Sequence, residues 1–194
     1  IPMDREERFL IGDIGLDGPT IAFVGRKDSS FVPDRVIDAQ GYIALPSLYN
    51  SHTHLAMGLM RNYKDNEPTL QAWLNEIFPI ENKLVADDIL IASRIGVIEA
   101  LQSGTGHFHD MYFKAEATAQ AVRESGMRAK LGLTLFGDLT DSKARVDRWD
   151  AKVLPSIDDS VTYSVAPHAI YTCSGETLRF AHDLAKERRV PLHI

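Results

Sequence analysis

Two histidines, spaced two positions apart, are the residues of this sequence that most directly suggest chemistry. His52 and His54 follow the apolar run "LPSLYN" and precede a leucine. In a β-strand the side chains at i and i+2 point to the same face, so a strand ending here would present both imidazoles side by side. Imidazole is a preferred ligand of zinc and iron. The alternative is a pair of surface histidines in a turn, and a His-x-His motif alone does not decide between the two.

Two ligands do not complete a catalytic metal site, which needs three or more protein ligands and an open position for water. The chain has a single cysteine, Cys173, which excludes a disulfide framework and a Cys-x-x-Cys zinc site. We expect this thiol to be structural, because no neighbour that would lower its pKa is evident. His107 and His109 repeat the spacing ahead of Asp110, but no carboxylate arrangement accompanies them, so a second metal site there is the less favoured interpretation.

The elements that must position these residues alternate between strands and helices from Thr69 onward, which indicates parallel β-α-β units. After the His-x-His strand we predict helices within 70–84 and 86–104, a strand within 106–113, a helix at 116–126, a strand at 128–138, a helix around 141–153, a strand from 161, a helix at 175–189 and the start of a strand at 190–194. In the second of these helices Ile91, Ile95, Ile98 and Leu101 fall on one face.

The segment before residue 45 differs in character, because it contains short β elements with Asp-Gly turns and no helical period. We therefore predict a small β domain over residues 1–44 and β-α units over 45–194. These units number four, with the opening of a fifth, whereas a parallel barrel closes with eight. The chain also begins without methionine and stops inside an apparent strand. We expect it to be part of a longer enzyme whose active site lies at the carboxyl ends of the strands.

Bulk composition excludes several partners. The formal net charge is −6, so there is no basic surface for nucleic acid. No apolar run approaches the roughly 20 residues that span a bilayer, and no leader pattern opens the sequence. An apolar content of 44% supports a sizeable core. These features predict a cytoplasmic protein with neither a nucleic-acid nor a membrane partner.

Several longer motifs together carry a family resemblance. The segment "LPSLYNSHTHLAMGLMRNY", then Trp73, "PIE" at 79–81, "DMYF" at 110–113, "ESGMRA" and "APHAIYTCS" resemble the amidohydrolase superfamily. The nearest branch is that of the methylthioadenosine and S-adenosylhomocysteine deaminases, with related chlorohydrolases. The resemblance runs from about residue 10 to the end. It implies a (β/α)8 TIM-like barrel with a small β-sandwich domain, of which this chain covers the first half.

The resemblance implies a metal site that this chain only begins. His52 and His54 correspond to two metal ligands on the first barrel strand. Aligning "VPLHI" with the fifth strand places the third ligand at residue 195, directly after Ile194, so that His193 falls two positions early and is not the ligand. The remaining ligands, and the glutamate and aspartate that act as acid and base, are expected beyond residue 194. The metal is one divalent ion, zinc, with iron as the alternative.

The same resemblance implies a substrate site. Glu81 corresponds to a glutamate that binds ribose hydroxyls, Trp73 to an aromatic residue lining that pocket, and His168 to a histidine that contacts substrate near the reacting centre. Arg145 corresponds loosely to an arginine that meets the carboxylate of S-adenosylhomocysteine, whereas a second such arginine is replaced by Leu133. Two simpler interpretations stay open, namely that Glu81 is a solvated helix residue and that Trp73 packs in the core.

The function implied is deamination of an adenine nucleoside, in which metal-bound hydroxide attacks the amino-bearing carbon and ammonia leaves. Candidate substrates are methylthioadenosine, S-adenosylhomocysteine, 5′-deoxyadenosine and adenosine, and the enzyme would be a homo-oligomer. A second hypothesis is a chlorohydrolase or deaminase of a triazine or pyrimidine, which has no diol for Glu81 to bind. A third, from another class, is a metal-free binding protein on a barrel fold.

Overall fold

The computed structural model describes residues 9–26 and 29–194, and the chain divides into two compact units, Ile1–Ser47 and Leu48–Ile194. In the first unit, strands β1 (Asp13–Asp17) and β2 (Thr20–Gly25) form an antiparallel hairpin. Gly18 closes the turn between them with φ +54°, a conformation that costs glycine little. The predicted Asp-Gly turn is therefore present.

The rest of the first unit carries less β structure than the sequence pattern predicts. Residues 29–47 contain no strand, and Val32, Val36 and Ile37 are exposed. Val32, Val36 and Ile37 belong to no strand of the unit's described part, so their β propensity produces no ladder there. Residues 1–8 and 27–28, which the predicted domain 1–44 includes, lie outside the described residues.

The second unit is built on a four-stranded parallel sheet in sequence order, β3-β4-β5-β6. Its strands are β3 (Leu48–Thr53), β4 (Thr105–Asp110), β5 (Arg128–Leu135) and β6 (Val161–Pro167). Its helices are α1 (Leu70–Glu81), α2 (Ala86–Gln102), α3 (Ala115–Ser125), α4 (Leu139–Lys152) and α5 (Gly175–Arg188), with short 3-10 segments at Leu55–Met60 and Leu154–Ser156. The alternation of strand and helix gives four β-α units, as half of a (β/α)8 barrel requires.

The last residues open a fifth unit beside β6. Leu192 bridges to Val165 in parallel, the Val165 amide donates to the Pro191 carbonyl at 3.0 Å, and the His193 amide donates to the Val165 carbonyl at 2.9 Å. The predicted strand start at 190–194 is therefore confirmed as a parallel pairing.

Alternation along the strands separates the helix-facing core from the opposite face of the sheet. Leu131, Leu133 and Leu135 of β5 are fully buried in the core with Val161 and Val165 of β6. The alternate positions of β5, at Lys130, Gly132 and Thr134, lie on the other face because strand side chains alternate.

Helix boundaries follow the local chemistry of the sequence. The side chains of Thr69, Asp138 and Ser174 accept hydrogen bonds from backbone N–H groups at the starts of α1, α4 and α5. Gly104 and Gly126 follow α2 and α3 with φ of +81° and +73°, the left-handed conformation common after a helix end. The predicted ends of both helices are confirmed.

The apolar stripe predicted on α2 is not the face that this unit buries. Ile91, Ile95, Ile98 and Leu101 are each about half exposed, at 49–55%. The buried face instead carries Ile89, Ala92, Ser93 and Val97. Small side chains on this face allow α3 to approach closely, and the hydroxyls of Ser93 and Thr118 hydrogen-bond across the contact at 3.0 Å. Over the described residues, no helix has the length and apolar character needed to cross a membrane.

Candidate metal and nucleoside site

The carboxyl ends of the four strands meet at one edge of the sheet, and residues able to do chemistry lie there. β3 ends at Thr53, between the two histidines of the His-x-His motif, and His168 directly follows β6. The residues 110–113 leave β4 at the same edge. This is the position at which parallel barrels bind their ligands.

His54 is held by a main-chain carbonyl. Its Nδ1 lies 2.6 Å from the oxygen of Met111. A carbonyl accepts and never donates, so Nδ1 carries a proton, and in the neutral form of the ring Nε2 is the atom that can bind a metal. The next amide, that of Leu55, donates to Oδ1 of buried Asp110 at 2.7 Å. Two contacts to the end of β4 therefore fix the chain at His54.

His52 is held by another histidine. Its Nδ1 lies 2.8 Å from Nε2 of His193, and the rings of His52 and His54 are 5.0 Å apart and nearly perpendicular. Nδ1 of His193 lies in turn 2.9 Å from Nδ1 of His109. Burial lowers the pKa of His52 and of His193, and burial together with the neighbouring His193 lowers the pKa of His109 to about 4. All three rings are therefore neutral at pH 7.

Within the part of the chain that the structure describes, no three His, Cys, Asp or Glu residues are arranged to hold a metal ion. His52 and His54 fit a two-imidazole half-site, and a catalytic ion would need further ligands. The weaker hypothesis of a second site at His107 and His109 gains no third ligand. His107 stacks on Tyr49 with ring centroids 4.2 Å apart, and His109 bonds Ser164 at 2.8 Å.

A cavity of about 150 Å³ connects the metal half-site with the predicted substrate residues. Its lining includes His54, Trp73, Glu81 and His168. Trp73 is half-buried and belongs to neither of the two apolar clusters of the core. Trp73 forms part of the cavity wall, outside both clusters, and its role in binding substrate stays a prediction.

Glu81 ends α1 and is buried, with 8% of its surface exposed. The Tyr112 hydroxyl donates to its Oε1 at 2.6 Å. Burial raises the pKa of Glu81, while the bond from Tyr112 and the charge of Lys114 partly oppose that rise. Glu81 is therefore not a solvated helix residue, and its carboxylate is oriented in the cavity.

His168 is fixed by one stacking contact and one hydrogen bond. Its ring stacks on Phe136 with centroids 4.3 Å apart, and its Nδ1 lies 2.8 Å from the Thr172 hydroxyl. Burial, followed by the charges of His54 and His52, lowers its pKa. A neutral imidazole thus faces the cavity at pH 7.

Arg145 lines a second cavity, of about 350 Å³, which Glu81 and Tyr112 also line. Its guanidinium lies over the rings of Phe113 and Phe136, 5.5 Å and 5.2 Å from their centroids. Burial lowers its pKa, with the charge of Asp141 opposing. Arg145 does not line the smaller cavity with His54, Trp73 and His168, whereas Glu81 lines both cavities and lies between the two groups of predicted site residues.

Two side chains prove unrelated to the site and two others were missed. His182 is exposed on α5 beside Asp183, and Cys173 is buried with its thiol donating to the Leu135 carbonyl at 3.3 Å. Sequence reasoning assigned no role to Tyr112, which orients Glu81, or to Phe136, which supports His168. Phe136 directly follows β5, and Tyr112 lies two residues after the end of β4. A position just after a parallel strand was the sequence feature that could have identified both as site residues.

A parallel half-barrel with a His-x-His pair at the end of a strand is typical of metal-binding enzymes with a (β/α)8 barrel. The sequence profile of the amidohydrolase family matches residues 43–194, and the chain belongs to this family.

Curated relatives share this similarity over nearly the whole chain. It is 38% identical to a 5-methylthioadenosine/S-adenosylhomocysteine deaminase of Thermoanaerobacter pseudethanolicus, over 98% of this chain and 46% of the relative. It is 39% identical to a 5'-deoxyadenosine deaminase of Methanothrix thermoacetophila, over 94% of this chain and 43% of the relative. The chain thus spans about half the length of the curated relatives it matches.

A solved structure with a similar fold is atrazine chlorohydrolase from Arthrobacter aurescens TC1 complexed with zinc. It superposes with a TM-score of 0.87 at 25% identity, covering all of this chain and 50% of that one. The half-barrel therefore has the same fold as half of that zinc-complexed enzyme.

Proposed function

We propose that this chain carries the first half of the active site of an amidohydrolase that deaminates an adenine nucleoside. The observation that carries the proposal is a single cavity lined by His54, Trp73, Glu81 and His168. An aromatic ring, an oriented carboxylate and a neutral imidazole beside a metal half-site are the groups that a nucleoside and a hydrolytic reaction need. The similarity to two nucleoside deaminases supports it.

His52 and His54 would hold the divalent metal, together with ligands from the rest of the protein. Zinc is the ion of the similar chlorohydrolase structure, and imidazole donors suit zinc and iron alike. When bound, such an ion supplies a water molecule acidic enough to act as a nucleophile near neutral pH.

The chain's own residues bind and orient the nucleoside. Glu81 accepts hydrogen bonds from the two ribose hydroxyls, because one carboxylate matches a vicinal diol. Trp73 covers an apolar face of the substrate. His168, fixed by Phe136 and Thr172, hydrogen-bonds the purine near the carbon that loses its amino group. Water replaces the amino group, and ammonia is the leaving product.

We further propose that neutral 5′ substituents are preferred over the charged tail of S-adenosylhomocysteine. Two arginines line the larger cavity, but Arg148 is already paired with Glu116 at 2.7 Å. Leu133 stands where the resemblance implies another arginine, and it offers no charge to a carboxylate. Arg145 and Lys114, which lines the same cavity, are the remaining cations, and because Leu133 replaces one expected partner, methylthioadenosine or 5′-deoxyadenosine should be the better substrate.

A triazine or pyrimidine substrate is the second candidate, favoured by the similarity to atrazine chlorohydrolase. Such a flat ring could lie against Trp73 and the stacked pair His168 and Phe136. It would leave the buried carboxylate of Glu81 without a partner from the substrate, which is unfavourable. Glu81 therefore distinguishes the two candidates.

The test is an ammonia-release assay of the full-length protein with the variant Glu81→Gln. Each charge-assisted hydrogen bond contributes about 1.5–3 kcal/mol, so KM for 5′-deoxyadenosine should rise at least tenfold. Turnover of free adenine, which has no diol, should stay nearly unchanged. Glu76→Gln is the matched control on the same helix, since Glu76 is exposed and pairs with Lys64 at 3.5 Å.

Substrate preference decides between the alternatives. A preference for a chlorotriazine or free base, with no response to Glu81→Gln, would contradict the nucleoside proposal and favour the second candidate. Absence of bound metal in the full-length protein would contradict both and leave a metal-free binding protein.

A further inference from the structure

A row of hydrogen-bonded side chains runs from His52 through His193 and His109 to Ser164. His52 Nδ1 meets His193 Nε2 at 2.8 Å, His193 Nδ1 meets His109 Nδ1 at 2.9 Å, and His109 Nε2 meets the Ser164 hydroxyl at 2.8 Å. His109 is 8% exposed and Ser164 is fully buried. The backbone of His193 is tied to Val165. The row therefore has a fixed geometry.

The row allows only two orders of its protons, because a neutral imidazole has one donor and one acceptor nitrogen. If His52 donates from Nδ1, His193 must accept at Nε2 and donate from Nδ1. His109 then accepts at Nδ1 and donates from Nε2 to the Ser164 hydroxyl. In this order Nε2 of His52 is unprotonated and can bind a metal.

The reverse order has the opposite result at His52. If the Ser164 hydroxyl donates to His109 Nε2, then His109 donates from Nδ1 to His193 Nδ1. His193 in turn donates from Nε2 to His52 Nδ1. Nε2 of His52 then carries a proton and cannot be a ligand. His54 differs, because the carbonyl of Met111 permits only one order there.

We propose that His193, His109 and Ser164 form a histidine relay that positions His52 as a metal ligand. Its role is to accept the Nδ1 proton of His52 in a hydrogen bond and so hold Nε2 free and correctly aimed. This inference rests on the proposed metal-dependent function. It assigns a role to His193, to which the sequence analysis gave none. It also assigns a role to His109, one of the two histidines of the second His-x-His spacing.

Supporting groups of this kind matter because ligand histidines are aimed by the hydrogen bond of their other nitrogen. A carboxylate or carbonyl can only accept such a bond. A histidine relay can also donate, so the tautomer of His52 in zinc-free protein reports which proton order the relay holds. Ser164, which both donates and accepts, ends the row and permits either order.

The experiment uses the full-length protein and three substitutions. His193→Leu removes the partner of His52, His193→Gln keeps an acceptor and a donor, and His182→Leu is the control at an exposed histidine. Zinc affinity is measured by competition with a chelator. The tautomer of His52 is measured in zinc-free protein by long-range nitrogen–proton NMR after labelling with [15N]histidine, with His52→Gln used for assignment.

The relay predicts that His193→Leu weakens zinc binding about 10- to 100-fold, the usual effect of removing such a supporting group. The His52 signal should move from the Nδ1–H tautomer toward a mixture. His193→Gln should restore both properties most of the way, and His182→Leu should change neither. Rescue by glutamine separates hydrogen bonding from packing.

Unchanged zinc affinity and an unchanged His52 tautomer in His193→Leu would overturn the relay. If His193→Leu does not fold, His193→Phe replaces it. This variant keeps a ring of similar size but removes the nitrogen that meets His52 Nδ1, so it should shift the His52 tautomer in the same direction, and an unshifted tautomer would overturn the proposal. A wild-type protein without zinc affinity would instead contradict the proposed function, and the tautomer measurement would still test the relay's hydrogen bonds.

Discussion

At the scale of single residues, the carboxylate of Glu81 combines two properties that make its protonation measurable. It is buried, which raises its pKa, and the Tyr112 hydroxyl bonds it at 2.6 Å, which opposes the rise. In the proposed function the ionised carboxylate would bind the ribose diol, because both hydroxyls donate. Protonation of Glu81 should therefore weaken nucleoside binding.

The prediction is that KM for 5′-deoxyadenosine rises as the pH falls through the pKa of Glu81. Because burial raises this pKa, the rise should begin closer to neutrality than the ordinary value of about 4.3. Tyr112→Phe removes a contact that lowers the pKa of Glu81, so in this variant the rise in KM should begin at a higher pH. The measurement is KM against pH from 5 to 8 in the full-length protein.

Glu81→Gln is the control for this profile, since an amide does not titrate and its KM should be high and independent of pH. A Tyr112→Phe onset at the same or a lower pH than wild type would show that Tyr112 does not stabilise the carboxylate.

The sequence could name His54, Trp73, Glu81 and His168 because each lies in a motif that resembles the family. It could not give their hydrogen-bond partners. Tyr112 is 31 positions from Glu81 along the chain, and only the packing of α1 beside the end of β4 brings them together. Partners that depend on such tertiary contacts leave no signal in local spacing.

At the scale of elements, the close approach of β5 to its neighbours supports the site. A Cβ added at Gly132 would lie 2.8 Å from the Cβ of Ala166 and 3.1 Å from the Asp110 carbonyl. These atoms belong to β6 and β4, so neither can move without shifting a strand. Gly132 therefore permits the spacing of three strands directly below their carboxyl ends.

Gly132→Ala should destabilise the protein by about 1–3 kcal/mol, the usual cost of overpacking. Gly58→Ala is the matched control, because no atom lies within 4 Å of its Cβ position and its φ is not positive. Removing a glycine there should be neutral or stabilising by up to about 1 kcal/mol. Thermal unfolding of both full-length variants gives the comparison, and equal shifts would contradict the close-packing argument.

Helix α2 shows the limit of sequence reasoning at this scale. Its periodicity predicts a helix correctly, but Ile91, Ile95, Ile98 and Leu101 remain half exposed in this unit. The face that is buried carries smaller side chains, including Ala92 and Ser93, because α3 packs closely there. The apolar periodicity did not identify the buried face of α2, because hydrophobicity does not report how near the neighbouring helix lies.

At the scale of the whole molecule, the alternation of strands and helices allowed the half-barrel and its active edge to be predicted. Parallel order follows from helical crossovers, and the barrel rule places ligands at the carboxyl ends. The position of His193 beside His52 could not be predicted, because it depends on the pairing of residues 191–193 with β6. The register between strands is a tertiary property.

The metal site should link the two halves of the full-length protein, because His52 and His54 provide only two ligands from this half. Zinc that binds the folded state at 100 times its Kd stabilises by about 2.7 kcal/mol, so chelation should lower the Tm. In His52→Ala or His54→Ala the metal content should fall and the Tm should no longer respond to chelator, whereas His182→Ala should behave as wild type, since that side chain is exposed. Metal content by elemental analysis and Tm with and without chelator measure this. A zinc-dependent Tm that persists in both ligand variants would show that the metal is held elsewhere, and that these two histidines are surface residues after all.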